Sequence, residues 1–313
     1  MKSKNSTPVN WPIEKSQPLI DKTQTIRLAP DLSQLSAGER KAVAKLLEVG
    51  RIFESIYEDQ RHRQALSSYQ ALVALDKRNE SAATKNLLSL YRLFQGPIAT
   101  TLENKREPFL PVDAVAPGKN MYPEDITKAE LDAFLTAHPE MHDQIMNSRS
   151  VVRRRTEANL KRDVSMLSWY PVLSTLHPGL KDMLLGNSRF GTPNLRTLTL
   201  YAVPYSVAYA DQLMKAYALL NDAADALHQE DGEFAGYLRN RARDLLSDDY
   251  ESGDAAWVTG HFKNLNAQIG SYETYDDELY GVKTFFAFSL LLTRQQETTA
   301  LRQAMKGLQS LED

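Results

Sequence analysis

Five prolines between residues 97 and 126 (Pro97, Pro108, Pro111, Pro117 and Pro123) rule out a long regular element across that stretch. Each fixes φ, removes a backbone donor and drives the residue before it away from the helical region. Helical patterns must therefore lie on either side. Upstream, Ser36 and Glu39 have the spacing of a capping box. Val43, Leu46, Leu47, Gly50, Phe53 and Tyr57 then recur at intervals of three and four, the stripe of an amphipathic helix. Two more helical patterns cover about 62–75 and 81–94, the second stopped by Gly96-Pro97.

Downstream, Thr127 and Glu130 cap a short helix expected to stop near His138-Pro139. Residues 140–195 carry mixed signals, with short strands expected around 150–155 and 164–170. From Arg196 to Tyr205 apolar and polar residues alternate, which predicts a strand ending at Pro204. A helix over about 206–228 should bury Val207, Ala210, Met214, Tyr217, Ala224 and Leu227; another covers 232–246. Residues 248–270 read as loop and extended chain, with helices over 277–292 and 298–310. The expected fold class is mainly α with a small β component (α+β). The chain reads as an irregular arm at 1–34, a helical region at 35–139, a mixed region at 140–210 and a helical region at 211–313.

A formal net charge of -3 and a pI near 6.1 provide no general electrostatic reason to bind nucleic acid. The local run Arg153-Arg154-Arg155, followed by Lys161-Arg162, would either meet an anion or pair with the chain's own carboxylates. The absence of cysteine excludes disulfides, thiol chemistry and thiolate metal sites. The first residues lack the apolar core of a signal peptide, and no apolar run approaches the roughly 18 residues of a membrane span. A cytoplasmic protein without membrane or nucleic-acid partners is expected, unless a leader has been removed; the oligomeric state stays open.

No HExxH or HExxxH motif is present among sites that the six histidines could form. His138-Pro139-Glu140-Met141-His142 spaces two histidines by four, but Pro139 disfavours a zinc-binding helix and the glutamate is one position off. The phosphate-binding P-loop, the dinucleotide glycine fingerprint and the GxSxG elbow are absent as well. No metal site or cofactor is expected within this chain.

The segment Asn264–Gly281, NLNAQIGSYETYDDELYG, concentrates tyrosines and carboxylates. If Ile269–Tyr275 is extended, Glu273 and Tyr275 share a face. A carboxylate there suits a peptide α-ammonium, and a neighbouring phenol suits a carbonyl oxygen on which charge develops. The same residues also fit a tyrosine-rich sheet edge followed by the acidic start of a helix at Asp277-Glu278.

This segment resembles the dipeptidyl-peptidase III family (peptidase family M49) and its bacterial relatives. So do Leu245-Leu246-Ser247-Asp248-Asp249-Tyr250, Asp254-Ala255-Ala256-Trp257-Val258, Tyr122-Pro123-Glu124-Asp125 and Ala202-Val203-Pro204-Tyr205-Ser206. Glu273-Thr274-Tyr275-x-Asp277 is similar to the family's ESYxD signature, with threonine for serine. The resemblance implies the non-metal portion of a two-lobed zinc aminopeptidase that releases dipeptides. It implies that Glu273 holds the amino terminus of an oligopeptide substrate and that Tyr275, the catalytic candidate, bonds near the scissile carbonyl. Asn266 would bind substrate backbone, and Asp277, counted with the substrate-binding residues, would be structural or orienting. Zinc would belong to a longer full-length protein, because the family's HExxxH helix and later glutamate follow this segment. The chain would then be either part of a longer peptidase, inactive alone and needing a zinc-bearing region, or a short relative that binds peptides or proteins without turnover.

Overall fold

In a computed structural model, residues 9–187 and 198–306 are described. Residues 1–8 of the arm expected at 1–34, the first two residues of the strand expected at 196–205 and the tail after 306 fall outside them. The described chain divides into two units. One comprises Met1–Arg27, Glu54–Ala210 and Ser271–Phe286; the other comprises Leu28–Phe53, Asp211–Gly270 and Ala287–Asp313. The architecture is mainly helical with small sheets, the α+β class expected.

The first unit begins with helix α1 (Ile13–Ile20), inside the stretch expected to be irregular. Tertiary packing overrides the local signal there: Trp11 and Leu19 join a core with Leu72, Leu87, Leu90 and Phe109. Asn86 Nδ2 also donates to Gln17 Oε1 at 2.8 Å. Each such buried leucine contributes about 1.5–3 kcal/mol. Helices α2 (Ala37–Arg61), α3 (Ala65–Arg78) and α4 (Ala82–Phe94) match the three expected patterns. The proline-rich stretch contains only the hairpin β1 (Ile98–Thr100) and β2 (Arg106–Pro108).

Helix α5 (Lys128–Ala137) starts at Thr127, whose hydroxyl accepts from the Glu130 N–H at 3.1 Å. A short 3-10 turn (Pro139–Met141) and α6 (His142–Ile145) follow. Strand β3 (Ser150–Arg154) pairs antiparallel with β4 (Leu200–Pro204), with Val152 opposite Ala202. Between them run α7 (Glu157–Trp169), α8 (Pro171–Leu176) and α9 (Leu180–Leu184). Residues 164–170, expected as a strand, thus lie largely in α7. The Thr156 hydroxyl accepts from the Asn159 N–H at 3.2 Å, an N-cap that fixes the helix start. Three members of the basic run are paired internally: Arg153 and Arg162 face Asp163, and Arg154 binds Asp125 and Glu130. Helix α10 (Tyr205–Ala208) completes this part of the chain.

In the second unit, the Ser36–Glu39 capping box closes in both directions. Glu39 N–H donates to Ser36 Oγ at 3.0 Å, and Ser36 N–H donates to Glu39 Oε2 at 2.8 Å. Helix α11 (Ala210–Leu227) buries Leu213, Ala216, Leu220, Ala223, Ala224 and Leu227. Val207, Ala210, Ala224 and Leu227 are buried as expected, while Met214 is only half-buried and Tyr217 is exposed, their places in the core taken by the neighbouring Leu213 and Ala216. Helix α12 (Gly232–Ser247) is followed by α13 (Glu251–Thr259), a helix within the expected loop.

Strands β5 (Leu265–Glu273) and β6 (Phe285–Leu292) pair with each other and run through the unit division. Phe285–Leu292 falls within the stretch expected to be a helix. A short apolar run has no period that separates strand from helix, and pairing with β5 decides the outcome. Helix α14 (Gln295–Met305) overlaps the last expected helix. No described helix is long and apolar enough to cross a membrane.

Candidate functional site

In the first unit, Glu273 ends β5 and a turn follows at once. The Asp277 N–H donates to Thr274 O at 2.9 Å, and the Gly281 N–H donates to Asp277 O at 3.0 Å. Gly281 has φ +65°, a left-handed conformation that suits glycine. The Asp277 carboxylate organises the interior of the turn. Oδ1 accepts from the Leu279 and Tyr280 N–H groups at 3.0 and 3.2 Å. Oδ2 accepts from the Val282 and Lys283 N–H groups at 3.0 and 2.9 Å, and from the Tyr122 hydroxyl at 3.0 Å. With five donors on two oxygens, this buried carboxylate has no capacity left for a substrate.

Its neighbours are also engaged. Asp276 accepts from the Tyr57 hydroxyl at 2.9 Å and faces Arg61 at 3.5 Å. Burial pushes the Tyr57 phenol up to about 12, so it remains a donor. Glu278 binds Lys119 at 2.7 Å and also Arg106, while its N–H donates to Pro117 O at 3.1 Å. The following Lys283 is buried and donates to Ile145 O, Asn147 O and Ser150 Oγ at 2.6–2.8 Å. Gln60 holds the far end of the segment: its Nε2 donates to Thr284 O at 3.2 Å and its Oε1 accepts from Phe286 N–H at 2.8 Å.

Glu273 and Tyr275 are both exposed, as are Tyr272 and Glu278, and the Glu273 carboxylate lies near enough to Tyr275 to act on its titration. Tyr275 is 77% exposed. Slight desolvation, then the charge and hydrogen bond of Glu273, raise its pKa. The phenol therefore keeps its proton at neutral pH. Together they offer an anionic acceptor beside a neutral donor, both open to solvent.

Of the four candidate residues, the structure brings Glu273 and Tyr275 together and places Asp277 inside the turn that supports them. Asn266 belongs to the second unit, on β5, where its Oδ1 accepts from Trp257 Nε1 at 2.9 Å. Sequence reasoning missed Arg61, Arg106 and Lys119, the cations that hold Asp276 and Glu278. They stand far apart along the chain, with no spacing to connect them. Among the described residues no group of three or more histidines or carboxylates could hold a metal ion. His138 and His142 instead face Glu140 and Asp143 at 3.4 and 3.2 Å.

DPP III from Caldithrix abyssi superposes with a TM-score of 0.73 at 24% sequence identity, across 95% of this chain. Dipeptidyl-peptidase III from Corallococcus sp. strain EGB gives 0.71 at 23% identity, across 97% of this chain. The chain has the fold of part of dipeptidyl-peptidase III. It spans 47% and 48% of the lengths of those two structures. Nudix hydrolase 3 of Arabidopsis thaliana is 26% identical over 322 residues, covering 95% of this chain and 39% of that protein. No protein-family model matches. The dipeptidyl-peptidase III resemblance thus extends through both units.

Proposed function

We propose that this chain is the substrate-handling portion of a zinc-dependent, dipeptidyl-peptidase-like metallopeptidase. The observation that carries the reading is the exposed Glu273–Tyr275 pair, set on a turn braced by Asp277, in a chain with the dipeptidyl-peptidase III fold. Glu273 would take the free α-ammonium of an oligopeptide through charge-assisted hydrogen bonds. Tyr275, released from Glu273 by that ammonium, would donate its proton to a substrate carbonyl and stabilise charge there. The described residues do not fit a zinc site, so the metal would be held by polypeptide outside them and no step is assigned to it.

The same observation supports a second reading, a relative that binds peptides without hydrolysing them. Calorimetry with tetra-alanine and its N-acetylated form tests the shared core of both. Binding of the free peptide, weakened about tenfold or more by acetylation or by Glu273→Gln, is the expected result. Equal affinity for the two peptides would defeat the assignment of Glu273. Release of dialanine from tetra-alanine, dependent on zinc and on a longer native chain, would favour the peptidase over the binding protein.

A further inference from the structure

A cavity of about 40 Å³ in the first unit is walled by Arg61, Gly96, Pro97, Thr100, Arg106 and Lys119, with His62 alongside. Every ionisable side chain on its wall is basic. A water site needs roughly 10–15 Å³ of such space, so the cavity has room for a few waters or one small polyatomic ion.

The donors around it are incompletely used. The Lys119 side chain is only 2% exposed, yet its ammonium, with three donors, has one acceptor among the described residues, Glu278 Oε1 at 2.7 Å. Arg106 contacts that same oxygen. Arg61 donates through Nη1 to Phe94 O at 2.6 Å and directs Nε toward Asp276, which leaves Nη2 without an acceptor among the described residues. Lys119 is the buried member of this set, and buried donors of a charged group are costly to leave unmade. Burial, followed by the charge of Arg106, pushes Lys119 down to about 8, as expected where cations crowd one another. Asp276 and Glu278 approach these cations but contribute nothing to the wall.

We propose that this cavity binds a small oxyanion, a carboxylate or phosphate group, between Lys119, Arg106 and Arg61. Arginine forks and a buried ammonium match the geometry of such a group. The site involves neither Glu273 nor Tyr275, and the inference stands apart from the peptidase reading. The anion is either free phosphate or the carboxylate of a peptide's C-terminus.

The test is calorimetric titration of the 313-residue chain at constant ionic strength held with sodium chloride. The probes are inorganic phosphate, N-acetyl-dialanine and N-acetyl-dialanine amide; acetylation removes the ammonium that Glu273 would take. Saturable binding of phosphate alone assigns the free ion. Binding of the acetylated acid but not its amide assigns a peptide carboxylate. Either result requires that Lys119→Met and Arg106→Gln each weaken binding about tenfold or more. Arg106 is half-exposed, so its variant keeps the test valid if Lys119→Met does not fold. Absence of saturable binding by both phosphate and the acetylated acid, or unchanged affinity in a folded variant, would overturn the proposal.

Discussion

The Tyr122 hydroxyl donates to Asp277 Oδ2 across 3.0 Å, joining residues 155 positions apart. Two pieces of sequence that resemble dipeptidyl-peptidase III, Tyr122–Asp125 and Glu273–Asp277, therefore meet in one hydrogen bond. Asp277→Asn keeps the shape but replaces one acceptor oxygen with a donor that faces backbone N–H groups. The expected loss is about 2–4 kcal/mol, because hydrogen bonds to a charged group contribute ~1.5–3 kcal/mol each and the backbone relaxes in part. Tyr122→Phe removes one of five donors and should cost about 1–2 kcal/mol. Urea unfolding gives both values, and faster amide exchange at Leu279–Lys283 in Asp277→Asn would localise the effect. An Asp277→Asn variant as stable as the parent would show that this carboxylate does not organise the turn.

A second resembling stretch, Leu245–Val258, carries structure rather than exposed chemistry. Asp244 accepts from Gly253 N–H at 3.0 Å, from Ser252 Oγ at 2.9 Å and from Arg241 at 3.3 Å, and Arg241 reaches Asp254 at 2.7 Å. A Cβ on Gly253 would stand 2.1 Å from Asp244 Oδ2 and 2.8 Å from Arg241 Cζ. Gly253→Ala must separate a buried ion pair, so a loss of about 2–4 kcal/mol is expected. Gly236, inside α12, has nothing within 4 Å of its added Cβ, and Gly236→Ala should gain about 0.5–1 kcal/mol. Thermal unfolding of the two variants should therefore move in opposite directions.

The helices were legible wherever a cap and an apolar stripe coincided. Ser36–Glu39 and Thr127–Glu130 mark the starts of α2 and α5 because both signals are local. Helix α1 was hidden because its support comes from Asn86 and the Phe109 side of the core. Residues 285–292 were misread because apolar side chains there satisfy either period, and only pairing with β5 chooses. The candidate site shows the same limit. Period-two geometry and the ETYxD resemblance put Glu273 and Tyr275 on one side of the chain, and both are exposed there. The occupied state of Asp277 depends on Tyr122 and on a left-handed glycine, which residue spacing does not reveal. Neither does it reveal the basic cavity, assembled from three separate segments.

Buried acid groups also give the first unit a pH dependence. Glu58 lies beside Tyr91, whose hydroxyl donates to Oε2 at 3.1 Å. Burial pushes the Glu58 pKa from 4.5 up to about 7; the Tyr91 hydrogen bond opposes this and nearby Glu54 adds to it. Between those values the folded chain binds more protons than the unfolded chain, so this group's contribution falls as pH rises from about 4.5 to 7. The penalty is complete above that window and absent below it. Glu58→Gln keeps an acceptor for Tyr91 and removes the titration. Allowing for partial solvent screening, the variant should gain on the order of 1 kcal/mol at pH 8 relative to its effect at pH 4. Paired urea denaturation at the two pH values measures this, and a pH-independent difference would refute the assignment.

The Glu273–Tyr275 pair has its own titration. A carboxylate beside a phenol disfavours phenolate, so Tyr275 should titrate above an ordinary tyrosine. In Glu273→Gln the charge is gone and the midpoint should fall back toward the ordinary value. Carbon-13 NMR of ring-labelled tyrosine, with Tyr275→Phe to assign the resonance, follows the titration directly. An unchanged midpoint in Glu273→Gln would mean that the two side chains do not meet in solution. Ligands extend the same measurement to function. Saturating dialanine should also lower the midpoint, because its ammonium would neutralise Glu273 and take the acceptor from the phenol. N-acetyl-dialanine lacks that ammonium and should leave the midpoint unchanged. A shift produced equally by both peptides would place the amino terminus elsewhere and remove Glu273 from the proposed substrate site.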